Sequence, residues 1–447
     1  MEAEVESVQE PVTHRPPSAT PAIAGQGAGA PGVVTRLVAL ARAHSTYAYS
    51  IAGQALIAVA STIRLFIVGR RLTAEDYGLY AVAFAVILGC QAVFLGLTTT
   101  TLGSLAPRKE GESLKRLVTA SLIVQLIAAV ILSAALVAIA LVAFDGRMRA
   151  LLLLSVCAIL ASSLRFIGYP VQYSLFNFKR TLGLDATSAA SQTVILVVMF
   201  YVFHRTTAEW AVATLALWEL TWSVASIPLF VRFIARQRGL RQEMRDLLRF
   251  AKFSVASSLS SYSLNYGSVL ILGANVAPAR LGGFAASKNL ARLNEPLTYA
   301  LGNILRAESS AAMGGSGTMR RRQVMRTLKI GVAAATLTTI LIAIFYPLGF
   351  RFLFAGKFMD FGLVVWILSF SKILESLAHF FVAILNGGGS PSLVYRSTLI
   401  SGATGLVLMA VFSRWMGVYG AAISTLIAAA FFCAVLGKFV REHPLPN

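Results

Sequence analysis

Arg70-Arg71-Leu72-Thr73-Ala74-Glu75-Asp76-Tyr77-Gly78-Leu79-Tyr80-Ala81 lies between two long apolar runs, Tyr47 to Val68 and Val82 to Leu97. Each run is long enough to cross a bilayer as a helix. A short charged turn leading to a glycine between two tyrosines therefore reads as a hairpin tip joining two membrane spans. Arg70 and Arg71 are expected to pair with Glu75 and Asp76, and Gly78 to let the second span start close to the first.

The same pattern continues along the chain. Of its 447 residues, 57% are hydrophobic and 13% charged, where a soluble domain carries roughly a quarter charged residues. Runs at about 46–69, 78–102, 117–144, 150–176, 186–203 and 210–234 fill the first half. Further runs at about 250–275, 283–305, 328–350, 362–386, 397–415 and 417–437 fill the second. The expected fold is an all-α integral membrane protein of about twelve transmembrane helices in two six-helix bundles. A transmembrane barrel would show alternating segments of about 10 residues instead.

The expected domains follow from composition. Residues 1–45 are a Pro-, Ala- and Gly-rich cytoplasmic tail expected to be disordered; they lack the basic start and apolar centre of a signal peptide. Residues 46–235 form the first bundle, 236–249 a basic linker, 250–440 the second bundle, and 441–447 a short tail. Counting basic residues at span ends with the adjoining loops, 25 Lys and Arg lie on the side of the termini and 9 on the other. That bias puts both termini in the cytoplasm. It also accounts for the net charge of +20: basic loops meet anionic lipid headgroups, and no nucleic-acid partner is expected. Cys90, Cys157 and Cys433 lie in apolar runs and read as packing residues.

The opening tip recurs. At an offset of 204 residues, Leu72 matches Val276, Tyr77 matches Leu281, Gly78 matches Gly282, Tyr80 matches Phe284 and Ala81 matches Ala285. Both tips join the first two spans of a half, which suggests a six-plus-six duplication with parallel halves, a common transporter plan.

Arg71-Leu-Thr-Ala-Glu-Asp-Tyr-Gly-Leu-Tyr80 resembles the R-x-L-x-x-x-x-[FY]-G-x-Y tip of Wzx-type polysaccharide and O-antigen flippases. These belong to the multidrug/oligosaccharidyl-lipid/polysaccharide (MOP) superfamily. Leu248-Arg-Phe-Ala-Lys252 resembles the start of that family's second half, and Leu281-Gly-Gly-Phe-Ala-Ala286 the tip of its first hairpin there. Phe354-Ala-Gly-Lys-Phe358 is similar to its phenylalanine–glycine motif before span ten. Met416-Gly-Val-Tyr-Gly-Ala-Ala422 is similar to its G-x-x-G-A-A before span twelve. Relatives often carry an acidic residue late in span seven, where this chain has Tyr266-Gly267-Ser268. The resemblance implies translocation of an undecaprenyl-pyrophosphate-linked oligosaccharide across the bacterial plasma membrane. It also implies a polysaccharide polymerase and a chain-length regulator as partners, alongside membrane lipids.

Charges inside spans cost roughly 2.5–3.5 kcal/mol each on insertion scales and are functional candidates by default. Arg165 falls in span four, Lys288, Arg292 and Glu295 in span eight, and Lys372, Glu375 and His379 in span ten. Arg64 lies near the end of span one and Glu219 in span six. In one reading Arg64, Arg165, Lys288, Arg292 and Lys372 form a cationic cavity for the pyrophosphate. In the other, the carboxylates neutralise the cations in place. Glu219, Glu295, Glu375 and His379 are the candidates for ion coupling. Pro170, Pro228 and Pro296 are expected to kink their spans.

No G-x-x-x-x-G-K-[ST] and no H-E-x-x-H occurs. The chain is expected to be a carrier without cofactor or metal, driven by a H+ or Na+ gradient or by consumption of product. A multidrug transporter of the same superfamily is the alternative. A membrane polysaccharide polymerase or ligase is a weaker one, because such enzymes carry a large polar outer loop that is missing here.

Overall fold

In the computed structural model, residues 33–106, 109, 111–174, 178–234, 239–313, 317–388 and 390–442 are described. They are helical almost throughout, with no strand among the described residues. Helix α1 covers Val33–Arg71, and α2 covers Ala74–Leu105 with a π-helical turn at Leu95–Thr99. Then come α3 (Gly111–Ala143), α4 (Gly146–Ser162), α5 (Arg165–Ser174), α6 (Phe178–Val197) and α7 (Ala208–Phe230). The second half holds α8 (Leu240–Gly273), α9 (Pro278–Ala291), α10 (Glu295–Met313), α11 (Gly317–Ile344), α12 (Tyr346–Phe354), α13 (Gly362–Gly387) and α14 (Pro391–Glu442). The described residues from Ala48 onward pack as one unit, and Val33–Tyr47 belong to a second.

Among the described residues, eight helices are long and apolar enough to cross a membrane. The last is a hairpin. Gly417 breaks it with φ 58°, and a Cβ on Gly405 would lie 3.3 Å from the Cβ of Ala428. The expected spans 397–415 and 417–437 are its two arms. Spans one, seven and eight, which correspond to α1, α8 and the α9–α10 pair, are not among the eight, and α8–α10 carry many serines, amides and charges. Of the expected tail, residues 1–32 lie outside the described residues and α1 begins at Val33. Of the expected linker, 236–238 lie outside them, and α8 takes in Leu240–Arg249.

The surface is largely apolar and much of the interior is polar, as a lipid solvent requires. Val130, Ile131 and Val142 of α3 face outward, while Ser121 and Gln125 of the same helix are buried. Buried hydroxyls bond carbonyls one turn back, as Ser121 does to Leu117 O at 2.8 Å and Thr339 to Ala335 O at 2.7 Å. Asn294 joins α10 to α11 through its amide and the Thr339 hydroxyl at 2.6 Å.

Two of the three proline-bearing spans are broken, span four six residues before its proline and span eight next to it. Span four is cut at Ser163–Leu164 into α4 and α5, with Pro170 inside α5. Span eight is cut by a 3-10 turn at Arg292–Asn294. Pro296 sits in the first turn of α10, where its missing N–H takes no bond from the helix. Pro228 lies inside α7.

The opening tip is built differently from the expectation. Thr73 caps α2, accepting the Asp76 N–H at 3.1 Å and donating its hydroxyl to Asp76 Oδ2 at 2.7 Å. Asp76 takes its cation from Arg147, at the start of α4, and Glu209 binds the same guanidinium at 2.8 Å. Arg70 donates to Phe352 O at 3.1 Å, and Arg71 lies 4.0 Å from the Tyr201 ring centroid. The arginines therefore bind α12 and a distant tyrosine, and Asp76 pairs with Arg147 instead.

Gly78 approaches the other half of the chain and not α1. A Cβ there would lie 1.8 Å from Pro278 O, and a Cβ on Gly282 would lie 2.4 Å from Ala74 O. The contact is reciprocal: Gly78 and Gly282, and likewise Ala74 and Pro278, are 204 residues apart. Around it, Tyr77 packs on Phe354 and Phe358 with centroids 5.5 and 5.7 Å away. Lys357 donates to the last carbonyls of α1, Gly69 O at 3.2 Å and Arg70 O at 2.6 Å. Burial there, with Arg70 nearby, holds the lysine's pKa below its ordinary value.

A methyl group cannot enter these contacts unless α2 and α9 separate. Gly78→Ala is expected to destabilise the protein by about 1–3 kcal/mol, the usual cost of overpacking. Thermal unfolding in detergent would measure it; an unchanged midpoint would contradict the close approach.

Candidate functional site

The charged residues expected inside spans gather into two groups, one in each half. In the first, Arg165 opens α5 at the break in its span. Its Nη1 is 3.1 Å from Glu219 Oε2 and its Nη2 donates to Gln91 Oε1 at 3.1 Å. Gln91 closes the ring by donating to Glu219 Oε1 at 2.9 Å. The guanidinium is flanked by the rings of Trp222 at 4.3 Å and Phe166 at 4.7 Å. Arg165, Gln91 and Glu219 thus form a ring of two hydrogen bonds and one ion contact, the last at Glu219 Oε2, which takes no hydrogen bond.

Arg64 stands beside this ring without joining it. Its guanidinium lies 4.7 Å from the Phe84 ring and 5.9 Å from Trp218. No carboxylate among the described residues is within ion-pair distance.

In the second half, Arg292 donates to Glu295 Oε1 at 2.8 Å across the 3-10 break. Lys372 reaches the same oxygen at 2.6 Å and Glu375 Oε2 at 2.7 Å. Ser371 donates to Glu375 Oε1 at 3.1 Å. Two cations and two carboxylates balance. Lys288 is buried nearby and donates to Ser268 Oγ at 3.0 Å; among the described residues it too has no carboxylate at ion-pair distance.

The surplus is thus located. Of the five cations, three sit in carboxylate networks, and Arg64 and Lys288 do not. The two occupy one duplicated helix pair: Arg64 and Phe84 correspond at the 204-residue offset to Ser268 and Lys288. The first half carries the cation on α1, over an aromatic ring of α2. The second carries it on α9, against a hydroxyl of α8. Phe84 also meets Tyr266 edge-on at 6.5 Å, and Tyr266 underlies Arg292 at 4.7 Å, so aromatic rings connect the two groups.

His379 packs edge-to-face on Tyr299, with centroids 4.8 Å apart, and makes no ion pair among the described residues. No group of three or more His, Cys, Asp or Glu among the described residues could hold a metal ion.

Three residues were not expected. Gln91 and Tyr266 carry no charge and gave no signal among so many apolar and hydroxyl residues. Asp185 lies just before the expected start of span five and so read as a loop residue. It is 2% exposed, its Oδ1 has no hydrogen-bond partner, and its Oδ2 faces Gly53 of α1.

Broken spans that present charges to a buried interior, in a bundle with an apolar exterior, define a multi-pass membrane protein of the transporter type. Solved structures of the MOP superfamily share the fold. An inward-facing multidrug-resistance MATE transporter matches with a TM-score of 0.68 at 16% identity, covering 87% of this chain and 94% of that one. An outward-facing multidrug-resistance MATE transporter of that superfamily matches with a TM-score of 0.64 at 16% identity, covering 88% of this chain and 93% of that one. A MOP superfamily transporter from Pyrococcus furiosus, described as having a binding pocket of reversed polarity, matches with a TM-score of 0.59 at 15% identity, covering 88% and 94%.

The chain belongs to the polysaccharide biosynthesis protein family, which it matches over residues 67–359. A probable low-salt glycan biosynthesis flippase, Agl15 of Haloferax volcanii, is 23% identical over 190 residues, 42% of this chain and 40% of that protein. The match therefore spans well under two thirds of that relative.

Removing one member of a buried ion pair costs about 3–5 kcal/mol, because the other stays buried and unpaired. Arg165→Ala is expected to lower the unfolding midpoint in detergent, and adding Glu219→Gln to recover much of the loss. A double variant no better than the single one would refute the closed ring.

Proposed function

We propose that the chain is a flippase that carries an undecaprenyl-pyrophosphate-linked oligosaccharide repeat unit across the bacterial plasma membrane, for surface polysaccharide assembly. The translocation runs by alternating access through a cationic cavity between two six-helix bundles, both termini lying in the cytoplasm. The polymerase and chain-length regulator of the same polysaccharide are its partners. The family and the fold support this reading, and one observation carries it: among the described residues, each half holds a cation, Arg64 or Lys288, with no carboxylate at ion-pair distance.

A pyrophosphate is itself nearly two-fold, with a charged phosphoryl group on either side of the bridging oxygen. Arg64 and Lys288, at corresponding positions of the two halves, suit one phosphoryl each. Arginine adds bidentate geometry and lysine a compact charge. Arg165, Arg292 and Lys372 hold the walls through their carboxylates and set the surrounding field. The ionisable groups of these networks, Glu219, Glu295 and Glu375, supply exchangeable sites if a H+ or Na+ gradient drives the cycle. A multidrug antiporter of the same fold would need net negative charge where cationic drugs bind, and both groups here are net positive.

Deleting the gene in its host is expected to abolish a surface polysaccharide while lipid-linked repeat units accumulate inside. Normal polysaccharide would rule the reading out, as would loss without accumulation. A hydrogen bond to a charged group contributes about 1.5–3 kcal/mol. Arg64→Ala and Lys288→Ala should therefore each cut flipping roughly tenfold or more in a reconstituted assay, at unchanged membrane insertion. Full activity in both would remove the cation pair from the mechanism.

A further inference from the structure

A cavity of about 380 Å³ opens among α8, α10, α13 and α14, inside the second half. Its volume falls in the small-molecule range of roughly 300–1,000 Å³, and its chemistry is unusual for a membrane interior. Along α8, Ser257, Ser261 and Asn265 recur at every fourth residue and line it as one face. Asn386 of α13 and the Tyr299 ring of α10 close the other sides. Tyr299 is half-exposed and His379 packs against it edge-to-face. Gly302, one turn on, leaves room for that imidazole: a Cβ there would lie 2.7 Å from His379 Nε2.

Glu295, Lys372 and Glu375 also line the cavity, and their charge decides what it accepts. Lys372 is held between the two carboxylates at 2.6 and 2.7 Å, and Arg292 balances the remaining charge. An anionic diphosphate entering here would meet two carboxylates whose cations are already taken. A neutral ligand rich in hydroxyl groups would not. It would find amide and hydroxyl partners along α8 and α13 and a flat aromatic face at Tyr299. An aromatic ring with a polar tip suits a sugar, whose C–H face is apolar and whose rim is polar.

We infer that this cavity is a saccharide subsite that takes the first one or two sugar rings of the carried glycan, with Tyr299 as the stacking surface. His379 positions that ring, and Asn265 and Asn386 bond the sugar hydroxyls. The inference rests on the flippase reading and extends it: the diphosphate engages Arg64 and Lys288, and the adjoining sugars lie in the second half.

The test uses the full chain in lipid nanodiscs and two probes, farnesyl diphosphate and farnesyl-diphosphoryl-N-acetylglucosamine. Wild type is expected to bind the glycosylated probe about tenfold more tightly than the bare one. Tyr299→Ala and Asn386→Ala should each erase that gain and leave affinity for the bare probe unchanged, while Tyr299→Phe retains it. Equal affinity of wild type for the two probes would overturn the subsite. So would a gain that survives both alanine variants, with the transport reading intact. Failure of wild type to bind either probe would count against the diphosphate reading and take the subsite with it.

Discussion

The close approach of α2 and α9 at Gly78 and Gly282 is the contact on which the rest of the structure depends. Helix axes normally stay 8–10 Å apart because side chains separate them. Here each helix offers a glycine to a backbone carbonyl of the other, and Ala74 and Pro278 supply those carbonyls in matching fashion. Such a contact is strict. It fixes the two hairpins in register at their tips, and the aromatic cluster of Tyr77, Phe354 and Phe358 fills the space around it. Lys357 then ties α1 to the same region through its last carbonyls.

The charged groups obey a second constraint, set by lipid. A charge that cannot reach water needs a partner, and each half solves this locally. Arg165 and Glu219 use Gln91 as a third member. Arg292, Glu295, Lys372 and Glu375 form a chain of alternating sign. In both halves the network forms where a span is broken, at Leu164 and at Arg292–Asn294, because a break frees side chains from the regular surface of one helix. Discontinuous spans are thus what allow polar chemistry to exist at depth.

Much of this was legible in the sequence, and the illegible part has a physical cause. Hairpin arms follow from apolar run length, and the short-range pairs Arg292–Glu295 and Lys372–Glu375 follow from helical spacing. The resemblance named the family that residues 67–359 match. Long-range partners were hidden. Asp76 binds Arg147, not its neighbour Arg71, and Arg165 binds Glu219 on another helix; neither spacing carries a signal. Spans seven and eight were read from apolar runs at about 250–275 and 283–305, although their hydropathy is diluted by serines and charges. Gly78 was rightly singled out as a close-approach residue, but composition could not say which helix approached.

The duplicated pair explains how one arrangement can be kept while its residues change. In each half the first two helices face each other at one position, Arg64 with Phe84 and Ser268 with Lys288. Two cations there would repel at short range in a low dielectric. Two neutral residues would leave the half without its unneutralised charge. One cation and one neutral neighbour satisfy both limits, and nothing in the geometry dictates which helix carries which. The first half uses an arginine resting on an aromatic face, the second a lysine held by a hydroxyl. At these matching positions the two halves thus share one cation beside a neutral neighbour and not the residue that carries it.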